Sequence, residues 1–136
     1  MTTYQADARA ATFNQYTVQA TPIWHTATYT IDTDDIDTIG DDVELFTIPA
    51  GSVVIAGFLD REDCGGTVTC DVGTSSDDDA FFSAIPCGTA GCTLLEQTDA
   101  RATAETTVVL TFDAVTTVTN GARITVGLLV LNLPNV

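Results

Sequence analysis

The stretch GGTVTCDVGTSSDDDAFF, residues 65–82, alternates threonine with apolar residues and then runs into three aspartates. Successive side chains of a β-strand point to opposite sides, so this alternation predicts a strand with one face against a core. The predicted inward face consists of Val68, Cys70 and Val72. The aspartates then form an acidic turn, from which Phe81 or Phe82 returns the chain to the core. A metal-binding loop and a redox or zinc element are the competing interpretations of the stretch.

The same pattern of β-branched residues at period two recurs along the chain and is typical of pleated, half-buried strands. It predicts five further strands, over residues 23–31, 43–48, 52–59, 106–113 and 122–132. The third of these runs is apolar at both parities, which favours a central strand covered on both faces. Together the runs predict an all-β fold, an antiparallel β-sandwich or jelly roll of about eight strands.

Turn residues separate these runs, and two of the turns are specific. Pro49-Ala50-Gly51 predicts a tight turn, and Asn120-Gly121 predicts a β-hairpin. Residues 94–101 are the one place where a short helix would fit, and a strand or a loop fits there equally well. The sequence contains no internal repeat and no linker.

The first 20 residues differ from the rest, because their aromatic residues are spaced among small and polar ones. The aromatic residues are Tyr4, Phe13 and Tyr16. Residues 1–20 are therefore interpreted as an extended N-terminal arm that packs on a neighbour, with a frayed terminus as the alternative. Residues 21–136 are predicted to form a single jelly-roll-like β domain, since a chain of 136 residues suits one domain.

The charge is strongly negative, with 19 acidic residues, four arginines and no lysine, for a net charge of −15. Such a chain repels phosphate backbones and anionic lipid surfaces, so neither nucleic acid nor a membrane is expected as a partner. The N-terminus shows no basic region followed by an apolar run, which predicts synthesis in the cytoplasm without a signal peptide.

The sequence offers little for catalysis, and we expect the protein not to be an enzyme. It has a single histidine, His25, no lysine, and no Gly-x-Ser-x-Gly nucleophile motif. His25 lies on the apolar face of its predicted strand beside Trp24, so a partly buried histidine is a better interpretation than a base. Acidic pairs for glycoside hydrolysis carry no information in a chain with this many carboxylates.

The cysteines, Cys64, Cys70, Cys87 and Cys92, are spaced C-x5-C-x16-C-x4-C. Zinc ribbons use tighter two-residue knuckles, so zinc is the weakest interpretation. Disulfides and free thiols both remain open. A bridge between Cys87 and Cys92 is the easiest geometrically, Cys70 also fits as a small buried hydrophobe, and bridges in a cytoplasmically made protein would form only after release.

Two acidic clusters invite comparison with calcium loops. The first comprises Asp32, Asp34, Asp35, Asp37, Asp41 and Asp42, and the second comprises Asp77, Asp78 and Asp79 after Asp71. The first departs from an EF-hand, whose glycine is replaced by Asp37 and whose final glutamate is replaced by Val43. Solvated acidic loops are the favoured interpretation. We therefore expect no cofactor, with calcium as the disfavoured alternative.

Two segments together resemble small head proteins of tailed bacteriophages, the decoration or cement proteins with a jelly-roll fold. The family's run is an acidic lead-in, a strand ending in "lPAG", a central strand, and then "GGTxTxDVGTxxDxDxF". The matching residues here are Ile48-Pro49-Ala50-Gly51, Gly66-Thr67-Val68-Thr69, Asp71-Val72-Gly73-Thr74, Asp77, Asp79 and Phe81. The last strand, ARITVGLLVLN, also fits, so the resemblance covers residues 31–132. The cysteines and the first 20 residues depart from the pattern.

The resemblance implies a homotrimer on the capsid exterior that clamps neighbouring subunits of the major capsid protein. It implies that Tyr4, Phe13 and Tyr16 in the arm, or the base of the jelly roll, make those contacts. The same type of jelly roll also occurs in head-fibre or tail-associated knobs that bind a host surface receptor or glycan, which is the alternative function.

Overall fold

The computed structural model describes residues 21–33, 36, 39–95, 102, 104–114 and 118–132. Eight β-strands are found in these residues. Their bounds are β1 Pro22–Thr30, β2 Asp42–Ile48, β3 Ser52–Arg61, β4 Thr69–Thr74, β5 Phe82–Pro86, β6 Gly91–Leu94, β7 Thr106–Ala114 and β8 Arg123–Asn132. The predicted arm, residues 1–20, lies outside the described residues.

The strands form two four-stranded sheets, and every strand pairing is antiparallel. The first sheet has the order β1-β8-β3-β6, and the second has the order β2-β7-β4-β5. All consecutive strands except β4 and β5 alternate between the sheets. This alternation is the winding of a jelly roll. The all-β, eight-stranded antiparallel sandwich predicted from the sequence is therefore confirmed.

The core lies between the sheets and is filled from alternating positions of each strand. In β8 the buried residues are Ile124, Val126, Leu128 and Val130, and in β7 they include Val108, Leu110 and Phe112. In and just before β4 they are Val68, Cys70 and Val72, as the alternation predicted. Full burial of one such aliphatic or aromatic side chain contributes roughly 1.5–3 kcal/mol, so these rows dominate the stability of the sandwich.

Phe82 returns the chain to this core after the acidic turn. Its side chain is buried, and Phe81 packs against the core while partly buried. The predicted path of residues 65–82, from strand to acidic turn to core, is confirmed.

The two predicted turns both form, but the hairpin prediction at Asn120-Gly121 is wrong. Gly121 takes a positive φ of 86°, as a tight turn requires, yet the turn leads from β7 in the second sheet to β8 in the first. The backbone of Ile31 bonds both sides of this turn, from Ile31 N to Ala122 O and from Gly121 N to Ile31 O, each at 2.8 Å. The Asn-Gly pair shows where the chain reverses direction, but it does not show which strand β8 pairs with.

Strand β3 is central in its sheet, between β8 and β6, but it is not covered on both faces. Its inward residues Val54 and Leu59 are buried, whereas Ile55 is exposed and Phe58 half-buried on the outer side. The apolar residues at odd and even positions of β3 therefore belong to two faces, one that packs in the core and one that faces solvent.

The segment where a helix was one option begins with Leu94, the last residue of β6. Residues 96–101 lie outside the described residues. The described part of the chain contains no helix of the length and apolarity that a bilayer crossing needs.

Candidate functional site

The outer side of the first sheet carries three adjoining rows of apolar residues, set by the strand register. One row pairs Pro22 with Leu131 and Val53, and the next pairs Trp24 with Leu129 and Ala56. The third row runs from Thr26 through Gly127 and Phe58 to Leu94. We call this surface the apolar face; it comprises Trp24, Val53, Ala56, Phe58, Leu94, Leu129 and Leu131.

Several side chains of the apolar face are open to solvent. Trp24 is 50% exposed and Leu94 is 69% exposed, and Ile55, the extra residue of a bulge in β3, is exposed beside them. Large exposed apolar side chains are ordinary when scattered singly, but contiguous rows of them mark an interaction surface. The apolar face is thus the strongest candidate for a functional surface in the described structure.

Gly127 shapes the middle of this face. A Cβ atom on Gly127 would lie 2.3 Å from Cε1 of Phe58, so the ring occupies the space that any side chain would need. The Phe58 ring in turn contacts Trp24, with ring centroids 5.7 Å apart and planes inclined by 53°. Glycine at residue 127 therefore lets the two rings lie together across β8 as one aromatic surface.

The apolar face ends in a polar row on the same side of the sheet. Thr28 and Thr125 face each other across β1 and β8, with their hydroxyl oxygens 2.9 Å apart. Beyond them, Arg123 Nε donates to Glu62 Oε1 at 2.6 Å, and this partner lowers the pKa of Glu62. Because both side chains of this ion pair are well exposed, it adds little stability, and it marks the polar rim of the face.

A second feature is a group of three carboxylates on the outer side of the second sheet. The carboxylate oxygens of Asp71 on β4, Asp113 on β7 and Asp78 in the acidic loop all lie within 4.8 Å of one another. Asp71 is buried, and its Oδ1 accepts a hydrogen bond from Ala84 N at 2.6 Å. Ala84 has a left-handed φ of 49°, next to the register shift between β4 and β5, so Asp71 satisfies a backbone donor at that irregularity.

Crowding of like charges changes the titration of this group. The hydrogen bond with Asp71, together with burial and the charges of Asp71, Asp78 and Asp79, raises the pKa of Asp113 to about 7. A carboxyl that shares a hydrogen bond with a second carboxylate holds its proton far above its ordinary range. The sequence alone does not indicate this carboxylate contact, because Asp71 and Asp113 are brought together only by the register of β4 and β7.

The acidic loop reaches this group by folding back over Gly73. A Cβ atom on Gly73 would lie 2.1 Å from the carbonyl oxygen of Asp77, so the loop backbone sits directly on the strand. Thr74 N donates to Asp77 O at 2.7 Å and closes the turn. The exposed carboxylates of Asp77, Asp78 and Asp79 form a second group within 4.8 Å, and Asp79 raises the pKa of Asp77.

Oxygen donors of this kind suit calcium, and Asp71, Asp78 and Asp113 are the residues that would hold such an ion. Exposed acidic groups without an ion are common in proteins. The interpretation of the clusters as solvated acidic loops without a cofactor stays a prediction. In the first cluster, Asp34, Asp35 and Asp37 lie outside the described residues.

The four cysteines are free thiols in the structure, and three of them come together. Cys64, Cys70 and Cys87 are fully buried, with the Cys87 and Cys70 sulfurs 3.2 Å apart. Cys92 is exposed on β6, where it pairs with Asp60 on the outer side of the first sheet. The spacing in the sequence did not indicate that Cys87 meets Cys70.

The remaining predicted residues divide into two sets. Tyr4, Phe13 and Tyr16 lie outside the described residues, so their role as contacts stays a prediction. His25 is partly buried on the inner side of β1, with its ring centroid 5.7 Å from that of Phe46, as its alternation with Trp24 indicated. A cleft of about 300 Å³ lies between β5 and β6 beside the acidic loop and is lined by Phe82, Ile85 and Leu94 among others.

Comparison with known proteins gives matches among solved structures alone. Neither a protein-family model nor a curated protein sequence matches the chain. A chain from the capsid of Ralstonia phage GP4 superposes with a TM-score of 0.72 at 20% identity, covering 86% of this chain and 88% of that one. A chain from the capsid asymmetric unit of cyanophage Pam1 superposes with a TM-score of 0.67 at 17% identity, covering 85% and 87%.

A third match is a chain from the acid-stable capsid of Helicobacter pylori bacteriophage KHP30, with a TM-score of 0.65 at 17% identity, covering 87% of this chain and 92% of that one. At these identities the likeness shows a shared fold. Each match spans nearly the whole of both chains, so the shared unit is the complete sandwich.

Proposed function

We propose that the protein is a structural, non-enzymatic component of a phage virion, a decoration or cement protein on the exterior of the head. In this role it binds the outside of the shell and stabilises contacts between subunits of the major capsid protein. The observation that carries the proposal is the apolar face, an exposed apolar surface on a sandwich whose fold is shared with chains from three phage capsids. The resemblance of residues 31–132 to phage decoration proteins supports the same role.

The partner we propose for the apolar face is the major capsid protein. The face offers aromatic and aliphatic side chains at its centre and a polar rim that includes Asp60 and the Arg123–Glu62 ion pair. Because the chain carries a net charge of −15, it attracts a different chain that has an apolar patch with basic neighbours.

The N-terminal arm extends this contact in the proposal. Residues 1–20 join the body just before Pro22, which lies in the first row of the apolar face. In the proposal, Tyr4, Phe13 and Tyr16 add aromatic contacts to the same partner. The arm is close to neutral, with Asp7 and Arg9 as its charged side chains, so it approaches the partner without the repulsion of the acidic body.

The sheet edges are the surfaces that we assign to contacts between copies in a homotrimer. Strands β1, β2, β5 and β6 are the edge strands of the two sheets. Exposed edges need covering, and oligomerisation is one means of covering them. Sizing of the purified protein by light scattering tests this part of the proposal, and a monomer at working concentration would contradict it.

The stabilising mechanism is mass action. A protein that binds the assembled lattice and has no affinity for free subunits shifts the equilibrium away from disassembly. It needs neither a cofactor nor a nucleic acid or membrane partner, and the acidic exterior keeps particles apart. Synthesis in the host cytoplasm precedes attachment to the head.

The test uses capsids that lack the protein, to which wild-type or variant protein is added back. Leu94→Asp places a charge on the apolar face at a side chain that is 69% exposed, so the fold is left intact. Thr47→Asp adds the same charge at an exposed position on β2 in the other sheet and is the matched control. We expect wild type and Thr47→Asp to raise the temperature of DNA release, and Leu94→Asp to bind weakly and leave it unchanged. If capsids release their DNA at the same temperature with and without the wild-type protein, the cement role is wrong.

A knob that binds a host receptor or glycan is the second candidate function. It is favoured by one observation, the half-exposed Trp24 beside Phe58, because sugar rings stack on open aromatic faces. A glycan array separates the two. Hits that disappear in Trp24→Ala would support the knob, while an array without hits and a copy number in the hundreds per virion would support cement.

A further inference from the structure

Three cysteine thiols meet at one end of the core, although they come from separate segments of the chain. Cys64 follows β3, Cys70 lies in β4 and Cys87 follows β5. All three side chains are 0% exposed. The cluster lies outside the apolar face, and the proposed function makes no use of it.

Backbone hydrogen bonds fix Cys87 between the other two segments. Its N–H donates to Val68 O at 2.7 Å, and its carbonyl accepts from Cys64 N at 2.9 Å. A Cβ atom on Gly88, the next residue, would lie 2.2 Å from Gly66 O, so the chain after Cys87 packs directly on the loop between Cys64 and β4. The backbone therefore fixes the position from which the Cys87 side chain projects.

Within this frame the Cys87 thiol contacts Cys70. The two sulfurs are 3.2 Å apart, and a disulfide needs them at about 2.05 Å, so an approach of roughly 1 Å converts the contact into a bond. The Cys64 thiol instead donates to Glu62 O at 3.3 Å within its own loop. Cys92 is on the outer side of the first sheet, whereas Cys87 is in the core.

We propose that Cys70 and Cys87 form an intramolecular disulfide when the protein folds in the presence of a low-molecular-weight disulfide oxidant such as oxidised glutathione. One cysteine attacks the oxidant as a thiolate, which forms a mixed disulfide and releases one glutathione. The second cysteine attacks the mixed disulfide, which forms the Cys70–Cys87 bond and releases a second glutathione. Two protein thiols are oxidised, one glutathione disulfide is reduced, and both thiol protons end on the two glutathiones.

The bond forms before the core closes, because the finished fold protects these thiols. The neighbouring Cys87 thiol and burial raise the pKa of Cys64 far above its ordinary value. The neighbouring Cys64 thiol lowers the pKa of Cys87, but the hydrogen bond to Cys70 and burial outweigh this effect and raise that pKa to about 12. Since the thiolate is the reactive form, exchange requires an open chain. The bridge then encloses residues 71–86, which include the acidic loop.

The test is refolding of the full chain, reduced and unfolded, into a glutathione redox buffer, followed by alkylation and cleavage before aspartate. Cleavage before Asp63, Asp71, Asp79 and Asp99 puts Cys64 and Cys70 in the peptide 63–70, and Cys87 and Cys92 in the peptide 79–98. A Cys70–Cys87 bond joins the two peptides, whereas a Cys87–Cys92 bond stays inside the second one and removes two hydrogens from it. Mass spectrometry distinguishes these products.

Matched variants identify the cysteine in each peptide. We expect Cys64→Ala and Cys92→Ala to keep the joined peptides and Cys70→Ala to lose them, and near-ultraviolet circular dichroism shows whether each variant is folded. Four alkylated thiols in the refolded wild type, a bond confined to peptide 79–98, or joined peptides that persist in Cys70→Ala at the wild-type yield would each overturn the proposal. These outcomes leave the cement role untouched, because the apolar face does not include the cluster.

Discussion

The ring of Phe58 lies over Gly127, at the place where a side chain on the neighbouring strand would otherwise project from the sheet. The ring is held there between β8 beneath it and the indole of Trp24 beside it. The open aromatic surface of the apolar face thus depends on a residue that contributes no side chain. This relationship leads to the first prediction.

Gly127→Ala is expected to displace the Phe58 ring and to separate it from Trp24. The Phe58 ring is half-buried, so it can move toward solvent to make room for the methyl group. We therefore expect the free energy of unfolding to fall by about 1 kcal/mol, the low end of the cost of overpacking. Trp24 is the single tryptophan of the chain, so its fluorescence reports the separation directly. The measurements are urea denaturation and the emission maximum of the native protein.

The control for this change is Gly91→Ala on β6. A Cβ atom there would meet the flexible end of Arg61 at 3.2 Å, so a small adjustment accommodates it and Trp24 is unaffected. An emission spectrum that Gly127→Ala leaves identical to wild type would show that Phe58 and Trp24 do not form one surface.

Gly73→Ala is expected to be more damaging, since the atoms it meets are backbone. The new methyl group would overlap the carbonyl oxygen of Asp77 and the backbone of Asp78, which have no free side to move into without lifting the acidic loop. We expect the free energy of unfolding to fall by about 3 kcal/mol, near the upper end of the cost of overpacking. We also expect an aspartate-specific protease to cleave the loop faster. Ser75→Ala, an exposed change in the same loop, should alter neither. Equal stability of Gly73→Ala and wild type would contradict the packing of this loop on β4.

The positions of the strands could be predicted from the sequence, but the pairing of the strands could not. Alternation at period two located the buried rows of β4, β7 and β8, because one residue in two faces the core regardless of which strand lies alongside. The Asn120-Gly121 pair gave the position of a turn, yet turn chemistry is local and does not say which sheet the chain enters next. The wrong hairpin prediction has this cause.

The candidate site shows the same division. The sequence shows the apolar residues of β3 and of the end of β8. However, a strand with apolar residues at both odd and even positions is equally consistent with a strand that is covered on both faces. Only the pairing of Leu129 with Trp24 and of Phe58 with Leu94 makes them one surface. The contact between Cys70 and Cys87 and the pairing of Asp71 with Asp113 likewise depend on register, which sequence spacing does not encode.

The Asp71–Asp113 pair predicts a specific dependence of stability on pH. The folded-state pKa of Asp113, about 7, is above the unfolded value of roughly 4, so its contribution is full below about pH 4 and is lost as the pH rises through 7. Asp113→Asn keeps a neutral hydrogen-bonding group at every pH. The variant should match wild type near pH 4 and unfold at a higher temperature near pH 8, by on the order of a few degrees.

The difference between the two melting temperatures is the quantity to follow, because the general effect of pH on the fold is common to both proteins. Asp60→Asn, which removes an exposed charge from the first sheet, is the control. A constant difference for Asp113→Asn across this range would mean that the pair does not share a proton.

Thiol reactivity gives the last prediction, and it concerns the reduced, folded protein. Cys92 is exposed, whereas Cys64, Cys70 and Cys87 are fully buried and the pKa values of Cys64 and Cys87 are raised. A colorimetric disulfide reagent should therefore titrate one thiol rapidly and three only at the rate at which the β4–β5 region opens. Cys92→Ser should remove the fast phase, and denaturant should merge all the phases into one. Four fast thiols in the folded wild-type protein would show that the cluster is open to solvent, and the protection that makes bridge formation a step of folding would then be absent.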